Sequence, residues 1–469
     1  MTATSDAAVQ AIETTGGGLH RRLSSFGCWL LALSCLSPVL SVYGVGADVL
    51  SHAGTGAALL FLLGLGTALV WGFVYAELGS AYPYSGGDYV GVGRILGGWA
   101  GAATLALWIA TCGPSTAFMC HIVATYVGEL APGIPANAIV FGALIVATLV
   151  GLLAVRTSAV ITGVFVAVEM VAIALLIGAG FYHPARGAEV FFATPMAPGS
   201  GGMMAPVALG ILASALVNTA YGAVGGNQAL YFGEELRDPH RKMGRVVLWA
   251  AMTGGLCTGL SVIAVVLGTR NLPAVLGSAA PLSAFVSERI GPGTARVLSA
   301  AVALAVFNAL IAQTMVNGRL LFSVARDGLV SGAVGRLLAR VEPASGTPRA
   351  ATIAMTLFAG ACCLLGGHVL LVFISGLIVY GWGLVCLSVL VGRAKGLTGG
   401  PGFWRAPLHP LAAGIGLLMA AAFAIANLAD ADAGRPSLIL LGLVVLAAIA
   451  WYWKVLRPRG WTPSITDIG

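Results

Sequence analysis

Cys35-Leu36-Ser37-Pro38-Val39-Leu40-Ser41 and Tyr221-Gly222-Ala223-Val224-Gly225-Gly226-Asn227-Gln228 each interrupt a long hydrophobic run near its midpoint. Pro38 has no N–H, so a helix continuing through it leaves the Ser34 carbonyl unpaired in the middle of the run. The second stretch crowds glycines and two side-chain amides into a segment where polar groups are costly unless they face a cavity. Around these breaks, 58% of the 469 residues are hydrophobic, 9% are charged, and the mean hydropathy is +0.94. Such a composition excludes a water-soluble domain and describes an integral membrane protein surrounded by lipid bilayer.

Twelve apolar stretches, each near the roughly 20 residues that cross a bilayer, run Phe26 to Leu50, Gly56 to Ala76, Gly97 to Val127, Ala136 to Ala154, Ala159 to Tyr182 and Ala205 to Phe232 in the first half. Val246 to Gly268, Val297 to Leu321, Ala350 to Leu365, Val369 to Val391, Leu411 to Leu428 and Ser437 to Trp453 follow. The runs are continuous, without the two-residue alternation of a membrane barrel, so the expectation is all-α. The breaks then fall in the first and sixth spans, at matching positions of two five-helix halves. Interrupted helices so placed point to a binding site in a membrane protein built from inverted repeats.

The formal charge of +7 suggests nucleic acid until it is mapped onto the spans. With a cytoplasmic N-terminus, nineteen of the 24 Lys and Arg residues fall on the cytoplasmic side, leaving Arg186, Arg270, Arg289, Arg296 and Arg435 outside. This positive-inside bias places both termini in the cytoplasm and removes the need for a nucleic-acid partner. Arg21-Arg22 ahead of an apolar run imitates a twin-arginine export signal, but the run is too long and eleven more follow. The eight cysteines lie inside spans, make no CxxC pair and read as small apolar fillers. Nothing implies a metal or another cofactor, and no GxxxxGK[ST] loop is present for ATP-driven work.

Three local sequences carry a family resemblance. After the second span comes Glu77-Leu78-Gly79-Ser80-Ala81-Tyr82-Pro83-Tyr84-Ser85-Gly86-Gly87-Asp88-Tyr89; after the sixth, Glu234-Glu235, Asp238-Pro239 and Arg241; after the eighth, Ala325-Arg326-Asp327-Gly328 and Gly346-Thr347-Pro348. In order and spacing these resemble signatures of the amino acid/polyamine/organocation superfamily, with a weaker echo in Trp404-Arg405-Ala406-Pro407-Leu408-His409-Pro410. Read by themselves, Pro83, Gly86-Gly87 and Gly328 stop helices at the membrane face while arginines anchor them.

The resemblance implies a leucine-transporter-like fold: residues 1–25 a cytoplasmic tail, 26–182 and 205–391 the two inverted repeats, 411–453 two peripheral helices, and 458–469 a cytoplasmic C-terminal tail. It also implies a substrate seated between helices one, three, six, eight and ten. At the first break, free N–H groups of the restarted helix suit a carboxylate, with Ser37, Pro38, Val39, Leu40 and Ser41 around it. Many members carry a Gly-x-Gly-type run there, which this chain lacks. At the second, freed carbonyls near Gly222 and Gly225 suit an ammonium, and Tyr221 resembles the family's aromatic lid. Asn227 stands where many members carry Glu, which weakens the case for di-cations such as putrescine.

Glu169 is the acidic residue that falls near the middle of a span, ten residues into the fifth. An intramembrane carboxylate is a functional candidate by default. It can carry a proton, help hold sodium, or bond to a neighbouring helix. On the eighth span, Asn308, Gln313 and Asn317 either line a pathway or hydrogen-bond helices together. Thr111, Trp108, Ser375 and Tyr380 are weaker candidates, and Asp48, His52 and His121 read as structural, with modulation of a pH response the alternative for His121. The expected activity is secondary active transport of a small neutral amino acid across the cytoplasmic membrane, proton-coupled, as a monomer or homodimer and without reaction chemistry. Exchange or amine transport within the same fold is the alternative.

Overall fold

The computed structural model describes residues 23–84, 87–152, 159–199, 203–326, 329–330, 332–342 and 347–461. Readings that fell on Arg21-Arg22, Ser85-Gly86, Arg156, Asp327-Gly328, Gly346 and most of both tails lie outside the described residues. Helix α1, Ser25–Leu36, begins on Ser24, whose hydroxyl accepts the Gly27 amide at 3.1 Å as an N-cap. It ends at Ser37, held at φ 45°, a left-handed conformation uncommon outside glycine. Pro38 supplies the reason, since it cannot donate to the preceding turn and occupies instead the first position of a new helix. That helix passes through a π-type segment, Ser41–Gly46, into α2, Ala47–Ala53.

The chain turns at Gly54–Gly56 into α3, Ala57–Ala81. There follow a short α4, Asp88–Leu96, then α5, Gly98–Leu130, α6, Ala136–Leu152, and α7, Ala159–Phe181. After α8, Leu209–Ala223, Val224 is extended and a 3-10 segment, Gly226–Phe232, forms the second interruption. The remaining long helices are α9, Pro239–Gly268, α10, Pro292–Arg326, α11, Arg349–Cys362, α12, Gly367–Ala394, α13, Leu411–Ala429, and α14, Gly434–Trp451. Among the described residues, nine helical segments are long and apolar enough to cross a membrane, the first being the 57-residue stretch Ser25–Ala81; α6 and α11 are apolar but shorter.

Two further details differ from the sequence reading. The sixth run, drawn from Ala205, becomes helical only at Leu209, because Met204–Pro206 pairs antiparallel with Met196–Pro198 as a two-stranded ribbon. Prolines at 195, 198 and 206 deny this segment the donors a helix needs. At the other end, residues 458–461 are not a loose tail: Arg457–Arg459 forms a 3-10 turn and the Trp461 amide returns to the Leu456 carbonyl at 3.1 Å. The Trp461 ring joins a small apolar cluster with Ala102 and Leu105 of α5.

The two breaks lie against each other. A Cβ added at Gly225 would stand 2.2 Å from Leu36 Cδ1, and one at Gly222 would stand 2.7 Å from Val45 Cγ1. Around them α3 packs on α9, α5 on α10 and α12, and α7 on α9. Lipid tails are as apolar as leucine, so such contacts are held by close packing of small residues. At the α7–α9 crossing a Cβ on Gly268 would come within 2.6 Å of the Gly180 Cα.

The loops quoted above close one end of the bundle. Glu77, at the end of α3 and fully buried, accepts both arms of the Arg393 guanidinium from α12 at 2.8 and 2.6 Å, the Thr398 hydroxyl at 2.9 Å and the Ala406 amide at 2.9 Å. Ser80 donates to the His240 carbonyl at the start of α9 and accepts the Trp404 amide at 2.8 Å, while His240 Nδ1 donates to the Ser80 carbonyl at 2.7 Å. The backbone of Leu23 exchanges bonds with Glu235 and Arg237 at 2.9 and 3.1 Å. Arg393 keeps 24% of its side chain exposed, so Glu77→Ala does not strand a fully buried charge and is expected to lose about 1–3 kcal/mol of stability, read as a lowered unfolding midpoint in detergent, whereas Thr398→Val, losing one hydrogen bond, costs about 1 kcal/mol.

Candidate functional site

The first break is not empty of charge. Glu169, on α7, reaches the point where α1 stops: both its carboxylate oxygens accept the Ser37 hydroxyl at 3.3 Å, and Oε2 also accepts the Val39 amide at 3.3 Å. Ser37 is wholly buried, Val39 nearly so, and Glu169 is 4% exposed. The Val39 N–H is one of the donors that a restarted helix cannot satisfy within itself, and a carboxylate at that end complements the helix dipole. Where the sequence pointed to an incoming carboxylate, the chain's own carboxylate sits. Three bonds of 3.3 Å are long for a charged acceptor.

Pro38 and Ser41 are buried and Leu40 partly so, all within the restarted helix. Tyr221 is partly buried between the two main apolar clusters, one built on α5 and α2 and the other on α3 and α9. Gly222 and Gly225 face the first break as described, and Asn227 is buried in the 3-10 segment. Glu169, the five residues Ser37 to Ser41, Gly222 and Gly225 therefore converge on one region, and Tyr221 adjoins it.

The eighth-span candidates behave differently. Gln313 donates to the Asn317 carbonyl oxygen at 2.8 Å, and the Asn317 amide donates to the Cys112 carbonyl at 3.3 Å and to the Thr116 hydroxyl at 3.0 Å. These bonds tie α10 to α5. Thr111 donates to the Trp108 carbonyl of its own helix at 2.8 Å, and Asn308 is half-buried. Ser375 donates to Asn218 at 2.6 Å, joining α12 to α8, and Tyr380 donates to the Phe423 carbonyl at 3.2 Å. His121 is a buried residue of α5 in part, its Nε2 without a protein partner.

Asp88 was quoted above only as part of a loop. It heads α4, is 4% exposed, and accepts the Tyr75 hydroxyl at 2.9 Å and the Trp108 indole N–H at 2.8 Å. Burial pushes its carboxyl up from the usual range, against the pull of these two bonds. It borders a cavity of about 10 Å³ with Thr104, Leu377 and Trp382, room for about one water. The signal that could have found it was an aspartate four residues past the Tyr84 turn in a segment otherwise uncharged up to Arg94.

Comparison with known proteins agrees with this architecture. The model of the amino acid permease family matches residues 26–449, which contain both breaks, Glu169 and the loop latch. The chain belongs to that family. Among its relatives, the Asc-type amino acid transporter 1 of Mus musculus is 26% identical over 355 residues, 71% of this chain and 61% of its own length. The branched-chain amino acid permease of Lactococcus lactis subsp. cremoris is 24% identical over 385 residues, 75% of this chain and 78% of its own. The human large neutral amino acids transporter small subunit 2 is 30% identical over 266 residues, 54% of this chain and 48% of its own. The match thus spans less than two thirds of the first and third of these relatives.

Within the permease, the Asn317 bonds join two helices that flank the breaks. Interhelical bonds of this type are worth about 0.6 to 1.7 kcal/mol. Asn317→Ala is expected to lower stability by about 1 kcal/mol in thermal unfolding of the detergent-solubilised protein, with the loss largely retained when Gln313→Ala is added, because Gln313 acts through Asn317.

Proposed function

We propose that this chain carries a small neutral amino acid across the cytoplasmic membrane by alternating access, with Glu169 as the proton-coupling group. The observation that carries the reading is the contact of Glu169 with Ser37 and Val39 at the first break. A substrate carboxylate and the Glu169 carboxylate compete for the same N–H and hydroxyl. Protonation removes the charge on Glu169 and weakens its hold on those donors, so a proton arriving on Glu169 favours the amino acid at the break. Reciprocity of linkage makes substrate binding favour the proton in turn. Two of the relatives are named for branched-chain and for large neutral amino acids, which supports a neutral side chain over a cationic one.

The same reading takes the helices as twelve spans, with Ser25–Ala81 crossing twice about the Gly54–Gly56 turn and the shorter α6 and α11 each crossing once. It pairs the first five and the next five as inverted repeats with α13 and α14 peripheral. In support, corresponding members lie side by side: α3, second of one set, packs on α9, second of the other, and α5, the third, packs on α10. The positive-inside bias then puts the Glu77 latch on the cytoplasmic side and leaves the α2 end of the first broken helix outside.

Uptake of a radiolabelled amino acid panel into proteoliposomes, with and without an inward proton gradient and with sodium absent, tests the proposal. Accumulation of a neutral amino acid is expected to follow the gradient. Glu169→Gln is expected to abolish gradient-driven accumulation while substrate binding persists. Ser37→Ala, losing one hydrogen bond of about 1 kcal/mol, is expected to weaken binding roughly fivefold. Gradient-driven accumulation undiminished in Glu169→Gln would rule out this coupling.

A further inference from the structure

The end of the bundle opposite the Glu77 latch carries a second cluster of chemistry-bearing side chains that takes no part in the site above. Asp48 and His52 lie one turn apart on α2, and His368 is the second residue of α12. His368 Nδ1 stands 3.0 Å from both Asp48 carboxylate oxygens. His52 Nδ1 donates to the Asp48 backbone carbonyl at 2.8 Å, and the two imidazole rings stack with centroids 3.9 Å apart. One possible ligand atom from each of the three residues lies within 4.8 Å of the other two. Their side chains are 41%, 12% and 35% exposed for His52, Asp48 and His368, so the cluster is open to solvent.

We infer that Asp48, His52 and His368 form a binding site for a divalent transition-metal ion, best matched by Zn²⁺, that fastens α2 to α12. Two imidazoles and a carboxylate are a familiar zinc ligand set, and three protein ligands leave a fourth, tetrahedral position for water. His52 Nδ1 also stands 3.6 Å from an Asp48 carboxylate oxygen, and its 2.8 Å contact with the Asp48 carbonyl holds the ring against α2, as carbonyl partners do for metal-binding histidines. Zinc at about 2.0–2.1 Å from each ligand holds its donors about 3.3 Å apart. Starting from separations of at most 4.8 Å, the side chains close by roughly 1.5 Å at most, with His368 exchanging its bond to Asp48 for a shared ion. His52 and His368, the more exposed of the three at 41% and 35%, make most of that adjustment by side-chain rotation.

Because α2 is the restarted half of the broken helix, an ion bridging it to α12 holds this end of the bundle shut. That consequence rests on the alternating-access reading, whereas the metal site does not. Isothermal titration of Zn²⁺ into the chelator-treated full chain in detergent is expected to show one ion per chain, with binding weakened about tenfold or more in each of His52→Ala and His368→Ala. His52→Asn, checked for a monodisperse profile, separates ligand loss from misfolding. No binding, or equal affinity in all variants, overturns the site. External Zn²⁺ is further expected to inhibit proteoliposome uptake by the wild type and to spare His52→Asn. Binding without inhibition overturns the fastening while leaving the site. Absence of uptake by the wild type without zinc overturns the transport reading, and the titration still decides the site.

Discussion

A helix that stops in the middle of an apolar medium must give its unpaired backbone groups somewhere to go. In water the solvent supplies partners; in lipid only the protein can, and each unsatisfied group costs several kcal/mol. Pro38 removes a donor at the stop and Ser37 takes the left-handed conformation that breaks the helix there, whereas Pro114 is carried inside the continuous α5. Glu169 then supplies the acceptor. The same carboxylate ties α7 to the first break, α7 crosses α9 closely at Gly180 and Gly268, and the second break seats on the first through Leu36 and Val45.

The end of α3 shows how a different carboxylate is used. Glu77 has its acceptor capacity filled by a bidentate guanidinium, a hydroxyl and an amide, all at 2.6–2.9 Å. Glu169 has only three bonds of 3.3 Å. The first arrangement is a fixed joint and the second is a loose one. Bidentate geometry adds specificity as well as strength, and this joint gathers the ends of α3 and α12 with the 398–406 loop, while Ser80 and His240 bring in the start of α9.

Much of this was legible in the amino-acid order, and the limits have physical causes. Pro38 and the glycines from 222 to 226 announce their breaks locally, because backbone geometry depends on the residue itself. Glu169 stands out as a charge in an apolar run. That it meets Ser37, 132 positions away, is decided by helix packing and leaves no periodic trace. Glu77 was visible as part of a motif, but its partners Arg393, Thr398 and Ala406 come from beyond residue 390 and carry no mark linking them to it. His368, a histidine at a helix start, looks unremarkable until the fold brings Asp48 and His52 beside it. The Met-Ala-Pro ribbon escaped because three-residue strands are too short to show alternation. Gln313 and Asn317 were seen as a polar face, and the alternative that helices use such residues to bind each other describes their bonds.

The contacts of Leu36 with Gly225 and of Val45 with Gly222 set how this region can change over generations. Each pair sets a bulky side chain from one broken helix against an absent one from the other. The total volume at the junction is what packing constrains, not which helix provides it. A larger residue at 225 therefore fits only beside a smaller one at 36, and a larger one at 222 only beside a smaller one at 45.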